Sequence, residues 1–336
     1  MLNITCISNS GYLDSPKFLK LSLHLSAATA TPIYLLGVYC ILFKTPDTMK
    51  SVKWYLFAHQ LWVVILDYCV CVFMVPYVFF PKPAWIPFGL FRLLEIPTLM
   101  QNLVFLMLLG YLSISTVSIY ENRFFILCEF RWKRYWTVFR RFWLAAHYLI
   151  TPFSLIPLAH LVPDQETAAK QLFQTLPCLP EAMYHEPVFV LADDLTYTAI
   201  ALFLVSFALC SQAAFFIICL SVNSLTRLRS KRMSLATYNM QKKFFIALLI
   251  QTSIPFFMLV VPVLCLGVDA VIDFSTQAFT NVEISFMARQ GLLTTTVMLV
   301  AHRPYRLAVR ELMKWRGSSR TVPAARTLKI STASMT

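Results

Sequence analysis

Seven stretches of this chain are apolar for long enough to cross a lipid bilayer, at about 21–43, 54–80, 93–120, 142–162, 195–222, 244–268 and 284–301. Inside a bilayer there is no water to satisfy backbone N–H and C=O groups, so runs of about 20 apolar residues settle as α-helices. Composition agrees. Of 336 residues, 58% are hydrophobic and only 13% are charged, with a mean hydropathy of +0.65, whereas a soluble domain carries about 25% charged residues. The expected fold is an all-α membrane protein, a bundle of seven helices. Segments 1–20, 302–316 and 317–336 lie outside the spans.

The net charge of +13 does not point to nucleic acid, because the cations sit in short blocks between apolar runs. Loops 44–53, 121–141 and 222–243 and the tail 302–336 hold 23 of the 29 Lys and Arg residues. Segments 1–20, 81–92, 163–194 and 269–283 hold five. Basic loops stay in the cytoplasm, so the N-terminus is expected outside and the C-terminus inside. Asn3-Ile4-Thr5 is then a glycosylation acceptor on the outer side. An outside N-terminus also counts against the insect odorant-receptor type of seven-helix channel.

Ionisable groups at membrane depth are rare and face the bundle interior or a partner. Asp67 lies 13 residues after Trp54 and Arg289 lies 13 residues before His302, which places both roughly 20 Å from the inner face at 1.5 Å per residue. Opposite signs at one depth allow a buried ion pair between the second and seventh helices. Arg289 snorkelling to the outer surface is the other reading. A channel or transporter that uses both charges is the alternative function from a different class.

Nothing in the sequence looks catalytic. His24 and His160 fall near outer helix ends and His59 and His147 near inner ends, so they do not converge on a metal. No metal site or cofactor is expected. The seventh span has no lysine for a retinal Schiff base. Pro255 lies mid-span in the sixth helix below Gln251-Thr252-Ser253, and with Pro262 it marks a hinge at which the inner half of that helix can swing. Glu95, Gln101, Asn102 and Gln290 each line a ligand pocket or bond between helices.

The seventh span breaks at His302 into Arg303-Pro304-Tyr305-Arg306, and 305–316 reads as an amphipathic basic helix at the cytoplasmic interface. The Ser- and Thr-rich stretch 317–336 reads as a solvated tail. Several blocks resemble one family. "GVYCILFKTPDTMKSVKW" (37–54), "HQLWVVILDYCV" (59–70), "VPYVFFP" (75–81), "YENRF" (120–124), "QTLPCLPE" (174–181), "IQTSIP" (250–255) and "GLLTTTVMLVAHRPYR" (291–306) are similar to nematode serpentine chemoreceptors of class H, in order over about residues 20–310.

The resemblance implies a rhodopsin-like G-protein-coupled receptor at the plasma membrane, in a sensory cilium. Its partners would be a small-molecule odorant or pheromone and a heterotrimeric G protein. Glu121, Arg123, Arg303, Tyr305 and Arg306 become the G-protein-face candidates. Asn122 stands between Glu121 and Arg123, and residues two apart do not share a helix face, so the usual acid–Arg step of such receptors is altered. The resemblance also implies an outer disulfide. Cys178 sits in the loop where that bridge lands, residues 81–95 hold no cysteine, and Cys6 is the partner it points to.

Overall fold

The computed structural model describes residues 11–318 apart from 81, 176–185, 193–194, 231–233 and 273–275, with the backbone alone at 48, 175, 229, 240 and 314–318 and in parts of 195–202 and 259–272. Asn3, Cys6, Cys178 and the tail beyond Ser318 lie outside the described residues. Seven long helices follow in order among the described residues: α1 (Pro16–Phe43), α2 (Lys50–Tyr68), α3 (Thr98–Leu127), α4 (Lys133–His160, broken at Leu155), α5 (Leu195–Arg229), α6 (Leu235–Ile272) and α7 (Gln277–Ala301, interrupted at 288–289). An eighth, α8 (Arg303–Ser318), follows His302. We call the end of the bundle holding residues 11–15 the N-face and the end holding α8 the C-face.

Local chemistry sets the ends. Ser15 Oγ accepts the Phe18 N–H at 3.2 Å, and Pro16 fills the first helical position, where its missing N–H is not needed. At its N-face end α2 loosens into a π-helical turn, Cys69–Met74, and stops at Val75, which is left-handed with φ 46°. The Val75 N–H closes that turn on the Val70 carbonyl at 3.0 Å. Pro76 follows, and a proline bars the preceding residue from continuing a right-handed helix. α6 is helical through both Pro255 and Pro262.

Residues 76–80, expected as the last turn of the second span, leave the helix instead. β1 (Pro76–Val78) pairs antiparallel with β2 (Ala84–Pro87), in register Tyr77↔Ile86, and β2 pairs with β3 (Phe189–Val190), in register Trp85↔Phe189. A short apolar run looks the same as strand or as helix in sequence, and here Pro76 decides.

The small sheet packs on Leu19 and Leu23 of α1 and Ile284 and Ala288 of α7, together with Ala168 and Leu172 of the short helix Gln165–Thr175. Tyr77 OH donates to the Asp14 carbonyl at 2.7 Å and Asn281 Nδ2 to the Leu13 carbonyl at 2.9 Å. These bonds fasten residues 11–15 over the N-face.

Over their most apolar 18 residues α1, α2, α3 and α7 bury 39–44%, α4 and α5 only 6% and 11%. The outward residues of α4 and α5 are large and apolar, Phe142, Phe153, Phe203 and Phe207 among them. Polar solvent would penalise such a surface, and lipid does not. At the C-face, Ile41, Val52, Leu56, Ile119, Leu248, Met298 and Tyr305 form one core. α1 meets α7 through Gly37, where an added Cβ would lie 2.7 Å from Thr295 Cγ2. Small residues let membrane helices approach in this way.

Candidate functional site

A set of buried polar and charged groups from several helices meets at the C-face. Glu121, Asn122 and Arg123 end α3 at 2%, 4% and 9% exposure. Each faces a different helix, because consecutive residues turn by about 100°. Glu121 Oε2 accepts from Arg140 Nη2 of α4 at 2.7 Å, and Oε1 accepts from Trp136 Nε1 at 2.7 Å. The same Arg140 nitrogen lies 3.1 Å from Asn122 Oδ1 and 3.2 Å from Tyr55 OH of α2. Asn122 Nδ2 donates to the Ser51 carbonyl at 3.1 Å.

Arg123 points toward α6 and α7. Its guanidinium lies 3.9 Å from the ring centroid of Phe244, a cation–π arrangement. Phe244 in turn packs on His302 (5.2 Å between centroids), and His302 on Tyr305 (5.6 Å). Tyr305 OH shares a 2.9 Å hydrogen bond with Thr45 Oγ1 at the end of α1. Arg123 Nε and Nη2 are buried, with no hydrogen-bond partner among the described residues. Two donors of a permanent cation thus stand ready at the junction of α3, α6 and α7.

Other expected residues fall as follows. Tyr305 is fully buried, whereas Arg303 and Arg306 are exposed, and Arg306 Nη1 donates to the Val300 carbonyl at 3.2 Å. Asp67 is buried at 3% exposure, with the Tyr34 hydroxyl facing its carboxyl and Cys71 Sγ 3.8 Å from Oδ1. Arg289 is exposed beside the α7 interruption. The two are not brought together, and among the described residues no ion pair joins them. The expected direct pair is therefore corrected: the break at 288–289 turns Arg289 outward, and Asp67 is met by neutral groups.

Gln101 and Asn102 are buried, and Gln101 Nε2 donates to the Ile96 carbonyl at 2.8 Å. Glu95 is exposed and left-handed, with φ 54°, and Gln290 is half-buried. No hydrogen bond links these four among the described residues. The seven described cysteines are free thiols.

Sequence reasoning missed Arg140, Trp136, Tyr55 and Phe244. The one available signal was the Arg140-Arg141 doublet, indistinguishable there from ordinary loop charge.

Seven helices enclose this polar knot near the end of α3, and an eighth follows α7. A family model described as serpentine type 7TM GPCR chemoreceptor Srh matches residues 14–315. The chain belongs to this family. Serpentine receptor class H-72 of Caenorhabditis elegans is 26% identical over 325 residues, covering 96% of this chain and 93% of that protein. The matched range takes in every group of the C-face cluster as well as the N-face sheet. This serpentine receptor is thus a seven-helix membrane protein of a chemoreceptor class, and that class is not an enzyme family.

Proposed function

We propose that this receptor binds an external small-molecule odorant or pheromone and activates a heterotrimeric G protein at its C-face. The N-terminus lies outside and the C-face is cytoplasmic, a reading supported by the distribution of Lys and Arg. Asn3 is then available for glycosylation, and Cys6 and Cys178 for an outer disulfide. α8 lies along the inner leaflet with Arg306 and Arg310 toward anionic lipid. The setting is the plasma membrane of a sensory cell, in its cilium.

The observation that carries the coupling is Arg123, a buried cation with two unpartnered donors, stacked on α6 and next to the α7–α8 elbow. Outward displacement of Phe244 would uncover it to a partner's carbonyl or carboxylate groups. The ligand would bind in the outer half of the bundle between α3, α5, α6 and α7, where Gln101 and Asn102 of α3 are buried and Gln290 of α7 is half-buried, with Glu95 at the rim. Pro255 and Pro262 supply the bend through which α6 responds. Ligand binding shifts the population between two packings according to its differential affinity for them.

The test is nucleotide exchange on purified heterotrimeric G protein by receptor in nanodiscs, stimulated by a panel of volatile and water-soluble small molecules. Arg123→Ala should lower stimulated exchange by about tenfold, the equivalent of roughly 1.4 kcal/mol, and Arg123→Lys should recover part of it. Equal stimulation by receptor and Arg123→Ala would overturn the assignment of the inner contact.

A further inference from the structure

α4 is loosely held, for no residue of Lys133–Ser154 is fully buried. Its polar fastening to the bundle is concentrated at Trp136 and Arg140. Between them they occupy both carboxylate oxygens of Glu121 at 2.7 Å. Arg140 also reaches Asn122 of α3 and Tyr55 of α2, and its guanidinium lies 4.2 Å from the Phe125 ring centroid. The pair is nearly dry, with side-chain exposures of 13% for Arg140 and 3% for Glu121. Removing one partner of such a pair leaves an uncompensated buried charge.

We propose that Arg140 is a positioning residue that sets the resting activity of the receptor: it holds Glu121 toward α4, so that Arg123 remains stacked on Phe244 of α6. The proposal rests on the reading of the C-face as the signalling face. With Arg140 in place, Glu121 is saturated from α4 and makes no demand on Arg123. Without it, Glu121 is a buried carboxylate with no cation on the face it occupies, and the C-face end of α3 must rotate to bring one within reach. That rotation carries Arg123 off Phe244, and the α3–α6 contact loosens. Arg140 touches neither ligand nor G protein in this scheme and acts through Glu121.

Two measurements on full-length receptor in nanodiscs test it. In the first, basal exchange is read without ligand. Arg140→Gln should raise it about three- to tenfold, and Arg140→Lys, which keeps the charge but loses the guanidinium fork, should raise it less. The Glu121→Gln/Arg140→Gln double variant should fall back toward the parent, since no lone carboxylate remains. Should Arg140→Gln not fold, Arg140→Lys decides alone: basal exchange equal to the parent overturns the proposal.

The second measurement is a double-mutant cycle of thermal midpoints for Glu121 and Arg140, which involves no G protein. Additive midpoints mean the pair is not coupled and overturn the proposal. Coupled midpoints with unchanged basal exchange, in a receptor that still responds to ligand, make the pair purely structural and also overturn it. Coupled midpoints with no exchange from any form, the parent included, reject the G-protein reading itself and the role of Arg140 in signalling with it.

Discussion

Among single residues, Gly291 shows how tightly the bundle centre is built. It opens the second half of α7 and faces Tyr34 of α1, whose hydroxyl occupies the space a Cβ would need. Gly291→Ala should therefore destabilise the receptor by about 1–3 kcal/mol, the usual cost of overpacking, read as a lower thermal midpoint in detergent. Because the nearest obstructing atom is the hydroxyl, Gly291→Ala should cost less in a Tyr34→Phe background than in the parent. An unchanged midpoint in Gly291→Ala would remove the packing argument. The sequence marked Gly291 only as part of a family block; that it touches α1 is a fact of helix placement. The same applies to Glu121. Its charge and its position at the end of α3 were legible, but its partner was not, since Arg140 stands 19 residues along and on another helix.

Among elements, the junction between α2 and the N-face sheet departs furthest from what periodicity suggests. The π-helical turn Cys69–Met74 and left-handed Val75 shift the chain sideways, and Gly89 then packs directly on the backbone of Phe73 and Met74. A Cβ at residue 89 would collide with a carbonyl group, and no rotamer change can relieve that. Gly89→Ala should cost about 3 kcal/mol or more and sharply lower the yield of monodisperse receptor. Gly11→Ala, whose nearest atom to the new Cβ is Asp14 Oδ2 at 3.4 Å, should leave the yield unaltered and serves as the control. The sequence offered Pro76 as a warning here. With apolar residues on both sides, Pro76 suits a kinked helix as well as the end of one, and a run of this kind does not distinguish a buried strand from a helix.

For the whole molecule, orientation is the property that the charge distribution predicts and that labelling can check. Lys82 lies by the N-face sheet and Lys50 at the C-face start of α2. In intact cells, a membrane-impermeant thiol reagent should label Lys82→Cys and not Lys50→Cys, and permeabilisation should add the second. The reverse pattern would place the N-terminus inside and rule out coupling at the C-face. The assembly also explains why α4 and α5 carry so many exposed phenylalanines. α1, α2, α3 and α7 form the packed centre, and the peripheral pair presents its apolar side outward.

The sequence by itself determined that this chain is a bundle of membrane helices, which end of it gathers the cations, and where α7 gives way to an amphipathic segment. Each is a property of windows of about 20 residues, and the hydrocarbon solvent acts on such windows whatever their neighbours are. Tertiary structure decided that Glu121 pairs with Arg140 while Arg123 stacks on Phe244. It also decided that Asp67 and Arg289 stay apart and that residues 76–78 join a sheet with 189–190. Side chains on a helix project about 100° apart per residue, so a small rotation or a local break such as the one at 288–289 changes which neighbour a charge can reach. Only the packing of one helix against another fixes that angle.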